Sequence, residues 1–89
     1  MQEIFAKNIQ FSKLIKANGK LKEFNFRKIN VQQESVFTVD VVDERDSRVF
    51  FNIKKVDNSW RIIELPLPKW ILENESSINE IIEEEIKQQ

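Results

Sequence analysis

The chain lacks the two side chains on which most metal sites and many nucleophilic enzymes depend. Among its 89 residues there is no cysteine and no histidine. This excludes disulfide bonds, cysteine-ligated zinc, thiol catalysis and Ser–His or Cys–His pairs. A single glycine also excludes the glycine-rich loops that bind nucleotides, because those loops need several glycines at fixed spacing. We therefore expect no enzyme activity, no cofactor and no bound metal.

Long apolar runs are also missing. Residues 1–20 interleave lysines with apolar side chains and contain no hydrophobic core of a signal peptide. No run approaches the roughly 20 apolar residues that span a bilayer. Together with the absence of cysteine, this predicts a cytoplasmic protein without a membrane segment.

Acidic residues are plentiful, but their arrangement predicts no metal site. Asp43, Glu44 and Asp46 cluster in one predicted turn, with Arg45 and Arg48 among them. The cluster lacks the glycine and the trailing glutamate of a calcium-binding loop. The favoured interpretation is that these carboxylates accept hydrogen bonds from backbone N–H groups of the turn.

The length predicts one small domain over residues 1–89. Apolar residues make up 40% of the chain and include seven Phe and two Trp, so the composition is that of a folded protein. A chain of this length buries a small core, and oligomerisation is one common source of added stability.

Asn18-Gly19 is the strongest local signal, because both residues tolerate the positive φ angles of a two-residue hairpin turn. We predict a hairpin from about Ile9 to Ile29. The alternative makes residues 2–17 a helix capped by the same dipeptide, although its apolar residues cover too wide an arc for one stripe.

The hairpin turn predicts a register. Closure at residues 17 and 20 sets Phe11 opposite Phe26 and Lys13 opposite Phe24, all on one face. Apolar residues 29 and 31 fall on the opposite parity, which predicts a bulge near residues 27–28 or the end of the strand. A polar loop is expected over residues 30–34.

Alternating apolar residues predict further strands at Ser35–Val42, Arg48–Val56 and Ser59–Leu65. One face of the middle two strands carries Phe37, Val39, Val41, Val49, Phe51 and Ile53. The other face carries Val36, Val42, Phe50 and Val56 beside Thr38, Asp40, Asn52 and Lys54. The turn between the last two strands is expected at Asp57-Asn58.

A C-terminal helical segment is predicted over residues 68–88. Pro68 suits the first position of a short helical turn, and Ser77 to Glu80 has the spacing of a capping box. Four isoleucines, Ile78, Ile81, Ile82 and Ile86, recur at helical spacing. The fold class is therefore α+β, mainly β: a four- to five-stranded antiparallel meander over residues 9–65 with a short helix packed on one face.

The uncovered face is a candidate contact surface, because it is half apolar. We predict partner contacts at Val42, Phe50, Val56 and Trp70. The alternatives are a curled sheet that covers itself, or cover from Ile4 and Phe5. For Trp70, the alternative is a plug at the end of the sheet.

Charge is unevenly distributed along the chain. Residues 1–30 hold seven basic and two acidic residues, whereas residues 73–89 hold one basic and six acidic residues. The two ends can attract each other within one fold or between protomers. The other interpretation is a basic face for an acidic partner, with Lys20, Lys22, Arg27 and Lys28 steering the encounter.

These patterns favour a small non-catalytic protein–protein interaction module that self-associates through a sheet face. A protein partner or a homodimer is expected, and no small-molecule substrate is evident. The alternative is a nucleic-acid-binding β-ribbon in which bases stack on Phe24 and Phe26 among basic residues. That alternative requires both rings to be exposed.

Overall fold

The strands form one antiparallel sheet in chain order. The computed structural model describes residues 9–31, 34–63 and 66–88. Within these residues the strands are β1 (Gln10–Ala17), β2 (Lys20–Val31), β3 (Glu34–Val42), β4 (Arg48–Val56) and β5 (Ser59–Ile62). Helices α1 (Lys69–Leu72) and α2 (Glu75–Lys87) follow. The order β1-β2-β3-β4-β5 confirms the predicted α+β meander, with five strands.

The first hairpin forms as predicted. Asn18 and Gly19 have φ angles of 56° and 78°, as a type I′ turn requires. The register pairs Phe11 with Phe26 and continues to the turn without interruption. Residues 10–17 are therefore a strand, which excludes the helical alternative for them; the earlier residues 1–8 lie outside the described part.

The predicted bulge near residues 27–28 is wrong, and so is its alternative, the end of the strand at this point. Arg27 pairs with Thr38, and the pairing continues residue by residue to Val31 opposite Glu34. Ile29 has the opposite parity to Phe24 and Phe26 because its side chain lies on the other face of the same regular strand, where it is 37% exposed. The predicted loop over residues 30–34 is correspondingly shorter, because residues 30, 31 and 34 belong to strands.

The remaining strands follow the predicted bounds closely. The two middle strands differ from prediction by one residue in total. Asp57 and Asn58 have φ angles of 51° and 70° and form the second tight turn. The last strand ends at Ile62 rather than at residue 65; residues 64 and 65 lie outside the described part.

The helices begin at other residues than predicted. Pro68 is the N-cap of α1, one position before its predicted place. The capping box at residues 77–80 is wrong, because α2 starts at Glu75 and Ser77 lies inside its first turn. Asn74 joins the two helices: its Nδ2 donates to the Trp70 carbonyl at 2.7 Å, and its own carbonyl accepts from the Ile78 N–H at 2.9 Å.

The core lies between the helices and one face of the sheet, here called the inner face. Its fully buried side chains are Phe24, Phe37, Val39, Val41, Phe51, Ile53, Ile71, Ile78 and Ile82. Ile81 and Ile86 pack against them from the side. The isoleucine stripe therefore lies on the sheet as predicted, and the short helix is stabilised by that contact rather than by its own length.

Helix α2 also holds the edge strand β5. The Trp60 N–H donates to Asn79 Oδ1 at 2.7 Å, and the Ile62 N–H donates to Glu75 Oε2 at 2.8 Å. Glu75 in addition accepts from Arg61 Nε at 3.2 Å. Because residues four apart lie on one face of a helix, Glu75 and Asn79 satisfy two alternate N–H groups that an edge strand would otherwise leave unpaired.

Candidate interaction surface

The face of the sheet opposite the core, here called the outer face, carries a hydrogen-bonded row of polar side chains. Ser12 Oγ donates to Asn25 Oδ1 at 2.6 Å, and Asn25 Nδ2 donates to Asp40 Oδ1 at 2.9 Å. Arg48 Nη1 completes the row by donating to the same Asp40 oxygen. The row crosses β1, β2, β3 and β4, so polar side chains on neighbouring strands satisfy one another across the face.

A second cross-strand bond lies beside this row. Thr38 Oγ1 donates to Asn52 Oδ1 at 3.1 Å. Farther along the strands, Lys54 Nζ lies 2.7 Å from Glu34 Oε1. The outer face therefore contains polar groups that are already partnered, and these cost little to cover when another surface excludes water from them.

Exposed apolar side chains flank the polar row. Phe50, which pairs with Asp40 in the register, is 60% exposed, and Val56 is 43% exposed. Val42 is half-buried. Three of the four predicted contact residues therefore share the outer face. Val36 is also on the outer face, because it pairs with Ile29 on one side and with Lys54 on the other, but it is only 7% exposed.

Trp70 does not join this surface. It belongs to α1, packs against the core, and meets Phe24 edge-to-face with ring centroids 6.5 Å apart. Lys22 Nζ lies 5.2 Å from its ring centroid, within the range of a cation–π contact. Trp70 therefore closes one end of the inner face. This is the alternative stated for it above, a plug at the end of the sheet, and not the predicted partner contact.

Two leucines that we did not predict are the most exposed large apolar residues of the described chain. Leu14 is 65% exposed and Leu21 is 67% exposed. In the register Leu14 pairs with Glu23 and Leu21 with Lys16, so the leucines are diagonal neighbours near the hairpin turn. The signal was present in the predicted register, since Leu14 has the opposite parity to Phe11 and Lys13.

The four predicted steering residues do not form one patch. Alternation along β2 puts Lys20, Lys22 and Lys28 on the inner side and Arg27 on the outer side. Lys20 and Arg27 are exposed, whereas Lys28 is half-buried. Only 10% of the Lys22 side chain is exposed, so this residue is not available for long-range steering.

Lys22 instead ties two turns together. Its Nζ lies 3.0 Å from Glu44 Oε2, and Asn18 Nδ2 donates to both Glu44 oxygens at 3.1 Å. The β1–β2 turn is thereby linked to the β3–β4 turn. The hydrogen bond from Lys22, followed by that from Asn18, lowers the pKa of Glu44 below its ordinary value.

In the acidic turn at residues 43–47, Asp43 makes the predicted backbone bonds, whereas Glu44 binds the side chains of Lys22 and Asn18 instead. Asp43 Oδ1 accepts from the N–H groups of Arg45 at 2.8 Å and Ser47 at 2.9 Å. The bond from Ser47, and then that from Arg45, lowers the pKa of Asp43. In the described ranges no three His, Cys, Asp or Glu side chains group closely enough to hold a metal ion.

The rings of Phe24 and Phe26 lie inside the core, 0% and 2% exposed. Bases stack on rings that are open to solvent, and these two are covered. The basic residues around them are divided between the two faces. The geometry therefore does not assemble the basic, aromatic ribbon that the nucleic-acid alternative needs.

A cavity of about 260 Å³ opens between the sheet and the C-terminal end of α2. Three lysines line it, but Lys54 is bound to Glu34 and Lys55 lies 3.4 Å from Glu83, which leaves Lys28. The indole N–H of Trp60 is buried nearby without a hydrogen-bond partner among the described residues. Because its cations are largely paired, the cavity does not point to an anionic ligand.

A groove of about 360 Å³ lies between β1 and the other side of α2. Lys13 and Leu14 line it from the strand, and three glutamates, Glu80, Glu84 and Glu85, line it from the helix. No ion pair joins Lys13 to these glutamates in the described structure. Among the described residues, the basic and acidic ends thus come close at this groove without an ion pair between them.

Comparisons with known proteins found no match among protein families, curated proteins or solved structures. Neither described helix is long and apolar enough to cross a membrane.

Proposed function

We propose that this protein is a small, non-catalytic protein–protein interaction module that self-associates through the outer face of its sheet. The observation that carries the proposal is the exposure of Phe50, which is 60% open to solvent on β4, a strand with a paired neighbour on each side. Aromatic side chains, Phe among them, are enriched at protein interfaces relative to the rest of the protein surface.

The surroundings of Phe50 support the same proposal. It is paired with Asp40 in the register, so it lies between the bonded pair Asp40 and Arg48 and the Thr38–Asn52 bond on the same face. An apolar anchor within satisfied polar groups resembles the composition of protein interfaces, where few side chains contribute most of the energy and the rest exclude water. Val42 is the diagonal neighbour of Phe50 on the same face, and Val56 lies farther along β4, beyond Asn52 and Lys54.

A non-catalytic role is favoured by the side chains present. The chain has no histidine or cysteine, which removes the usual general base and thiol nucleophile. The acidic side chains with lowered pKa, Asp43 and Glu44, are engaged in turn and cross-turn bonds rather than placed in a cleft. As part of the proposal we assign the protein to the cytoplasm, on the absence of cysteine.

The proposal is tested by measuring solution mass with size exclusion and light scattering over a range of protein concentrations. Phe50→Ser removes the anchor at a residue that is outside the core cluster. We expect a mass above that of the 10.7 kDa monomer for the unaltered chain. The variant should need on the order of tenfold more protein to associate, as for an interface anchor.

Leu72→Ser is the matched control, because Leu72 is 37% exposed and lies on α1, away from the outer face. It should associate like the unaltered chain. A monomer at every concentration would contradict self-association, and equal effects of the two substitutions would contradict the role of the outer face. Repeating the series at low and moderate salt measures how much exposed charges such as Lys20 and Arg27 contribute to association, because salt screens them.

A further inference from the structure

The two edge strands of the sheet, β1 and β5, differ in whether other residues bind their outward backbone groups. At β5, a strand of four residues, Glu75 and Asn79 of α2 bind the N–H groups of Ile62 and Trp60. At β1, a strand of eight residues, no described residue makes the corresponding bonds. A long edge strand with unpaired backbone groups is a template for another strand, so one edge is closed and the other is open.

The outward groups of β1 can be identified from the ladder. The Lys28 N–H donates to the Ile9 carbonyl at 2.9 Å, so this pair is a hydrogen-bonded one, and every second pair toward the turn repeats it. The intervening residues, Gln10, Ser12, Leu14 and Lys16, direct their backbone groups away from β2. The strand has no proline and its register has no bulge, and proline and bulges are two features that commonly block edge pairing.

We propose that β1 pairs with β1 of a second copy of this chain. The two strands run antiparallel about a twofold axis at Leu14 and join two sheets into one continuous sheet. This inference does not rest on the proposed role of Phe50. It uses the backbone edge, whereas that role uses a side chain on a face.

The side chains select the register. In a symmetric antiparallel pair, each residue whose backbone groups point outward must lie opposite another such residue of the partner strand. These residues alternate along β1, so the twofold axis passes through a residue and not between two residues. An axis at Lys13 would set two lysines against each other, which is unfavourable. An axis at Leu14 sets Leu14 against its own copy, Lys13 against Ile15, and Lys16 against Ser12. This register covers an apolar residue that is 65% exposed and opposes no like charges.

The charges beside the edge favour this occupant. The charged residues of β1 are Lys13 and Lys16, both basic, and the adjacent groove is lined by Glu80, Glu84 and Glu85. In the proposed register the partner's Lys13 lies opposite Ile15, on the same inner side as these glutamates. A lysine usually discourages pairing at an edge, but here an acidic groove receives it. The attraction between basic and acidic ends is then satisfied between protomers.

The pairing also forms backbone hydrogen bonds between the two β1 strands, and these bonds do not require side chains to become ordered. Three hydrogen-bonded pairs centred on residue 14 give about six N–H to carbonyl bonds. Each contributes modestly, on the order of the net value of a backbone bond in water. Because Leu14 lies on the outer face, the two outer faces become neighbours in the joined sheet.

The test uses single cysteines, which are unambiguous in a chain that has none of its own. Opposed residues in a hydrogen-bonded antiparallel pair have Cα atoms about 5.5 Å apart, within the range that a disulfide spans. Leu14→Cys should therefore form a disulfide-linked dimer under mild oxidation. Leu21→Cys is the matched control, with nearly the same exposure but a position on β2, and should crosslink at least tenfold more slowly.

Leu14→Pro provides a second measurement. Its N–H points away from β2, so proline at this position removes an interface donor without removing a bond within the hairpin. We expect association to weaken by tenfold or more while circular dichroism and the unfolding midpoint stay close to those of Leu14→Ser. Equal crosslinking of Leu14→Cys and Leu21→Cys would overturn the proposal, as would faster crosslinking of Lys13→Cys, which would mark the other register.

The outcomes separate this inference from the proposed function. If Phe50→Ser does not alter association but Leu14→Cys still crosslinks, the outer-face role fails and the edge pairing stands. If Phe50→Ser weakens association but Leu14→Cys does not crosslink, the edge pairing fails. A monomeric chain whose residue 14 amide exchanges slowly would assign the edge to an occupant from the same chain, and would also overturn the pairing.

Discussion

Phe50 and Phe51 are adjacent in β4 and have opposite environments. Phe51 is 1% exposed and belongs to the core, whereas Phe50 is 60% exposed. The same side chain on the same strand thus contributes to folding on one face and is left in solvent on the other. The difference is the cover: α1 and α2 pack on the inner face, and no described element packs on the outer face.

Polar residues differ between the two faces in a related way. On the outer face Asn25, Asp40 and Arg48 bind one another across strands. On the inner side the polar contact of Lys22 is at the rim, where it meets Glu44 and Trp70. The inner face therefore depends on packing and the outer face on polar bonds, which predicts that substitutions on the two faces will differ greatly in their cost.

The largest expected effect comes from Phe51→Ala, which empties a filled position of the core. We expect the free energy of unfolding to fall by about 3–5 kcal/mol, a large part of the total for a domain of this size. Chemical denaturation measures the loss. Phe50→Ala, the neighbouring control, should cost less than about 1 kcal/mol. Similar losses for the two variants would contradict the assignment of the faces.

Asn79→Ala is expected to have the next largest effect, because it leaves the N–H of Trp60 without its acceptor. A buried donor without a partner costs about 1–3 kcal/mol, and the unfolding midpoint should fall accordingly. Faster hydrogen exchange at Trp60 should accompany the loss. Glu80→Ala is the control, since Glu80 is the exposed neighbour on the same helix. No difference between the two variants would show that α2 does not hold the β5 edge.

On the outer face, Asp40→Ala should lower the free energy of unfolding by about 1 kcal/mol. It removes the oxygen that accepts from Asn25 and Arg48. Asp40→Asn is the matched variant, because it keeps an acceptor oxygen and removes the charge, and it should cost less. Thermal unfolding of both variants measures the difference. A loss as large as that of Phe51→Ala would show that the outer face, too, depends on a packed interior.

The smallest expected effect is a dependence on pH. Since hydrogen bonds lower the pKa of Glu44 and Asp43 in the folded chain, the folded state binds fewer protons than the unfolded state in acid. The stabilisation is therefore fully present above the ordinary values of 4.5 and 3.8. It is lost as the pH falls through the lower, folded pKa values.

Denaturation at a series of acidic pH values tests this dependence. Glu44→Gln should remove the part of the decline that belongs to Glu44, leaving a shallower slope. An unchanged slope would contradict the link between the two turns. Glu84→Gln, at an exposed position of α2, is the control and should leave the Glu44 contribution in place.

The sequence was sufficient for much of the fold. Asn18-Gly19 predicts the hairpin and its register because few residues tolerate two successive positive φ angles. The middle strands were predicted within one residue because alternation has a period of two and a slip of one reverses every side chain. The Ile stripe of α2 was predicted because apolar residues that recur every three or four positions lie on one side of a helix.

The candidate surface was predicted only in part. Val42, Phe50 and Val56 share the outer face as the alternation predicts, but Trp70 belongs to the other side, since its position depends on how α1 docks on the sheet. The capping box was wrong because the helix extends back to Glu75, whose carboxylate binds the backbone of β5. That bond joins residues far apart in sequence, so no local pattern could reveal it.

Local sequence patterns specify the strands, the turns and the residues that share a face, because backbone sterics and the periods of strand and helix act over a few residues. Long-range packing sets which face the helices cover, which edge of the sheet they close, and that Lys22 meets Glu44 and Trp70. Those outcomes depend on contacts between distant segments competing for the same surface. The alternation puts Phe50 and Phe51 on opposite faces, and the packing of the helices on one face makes Phe51 part of the core.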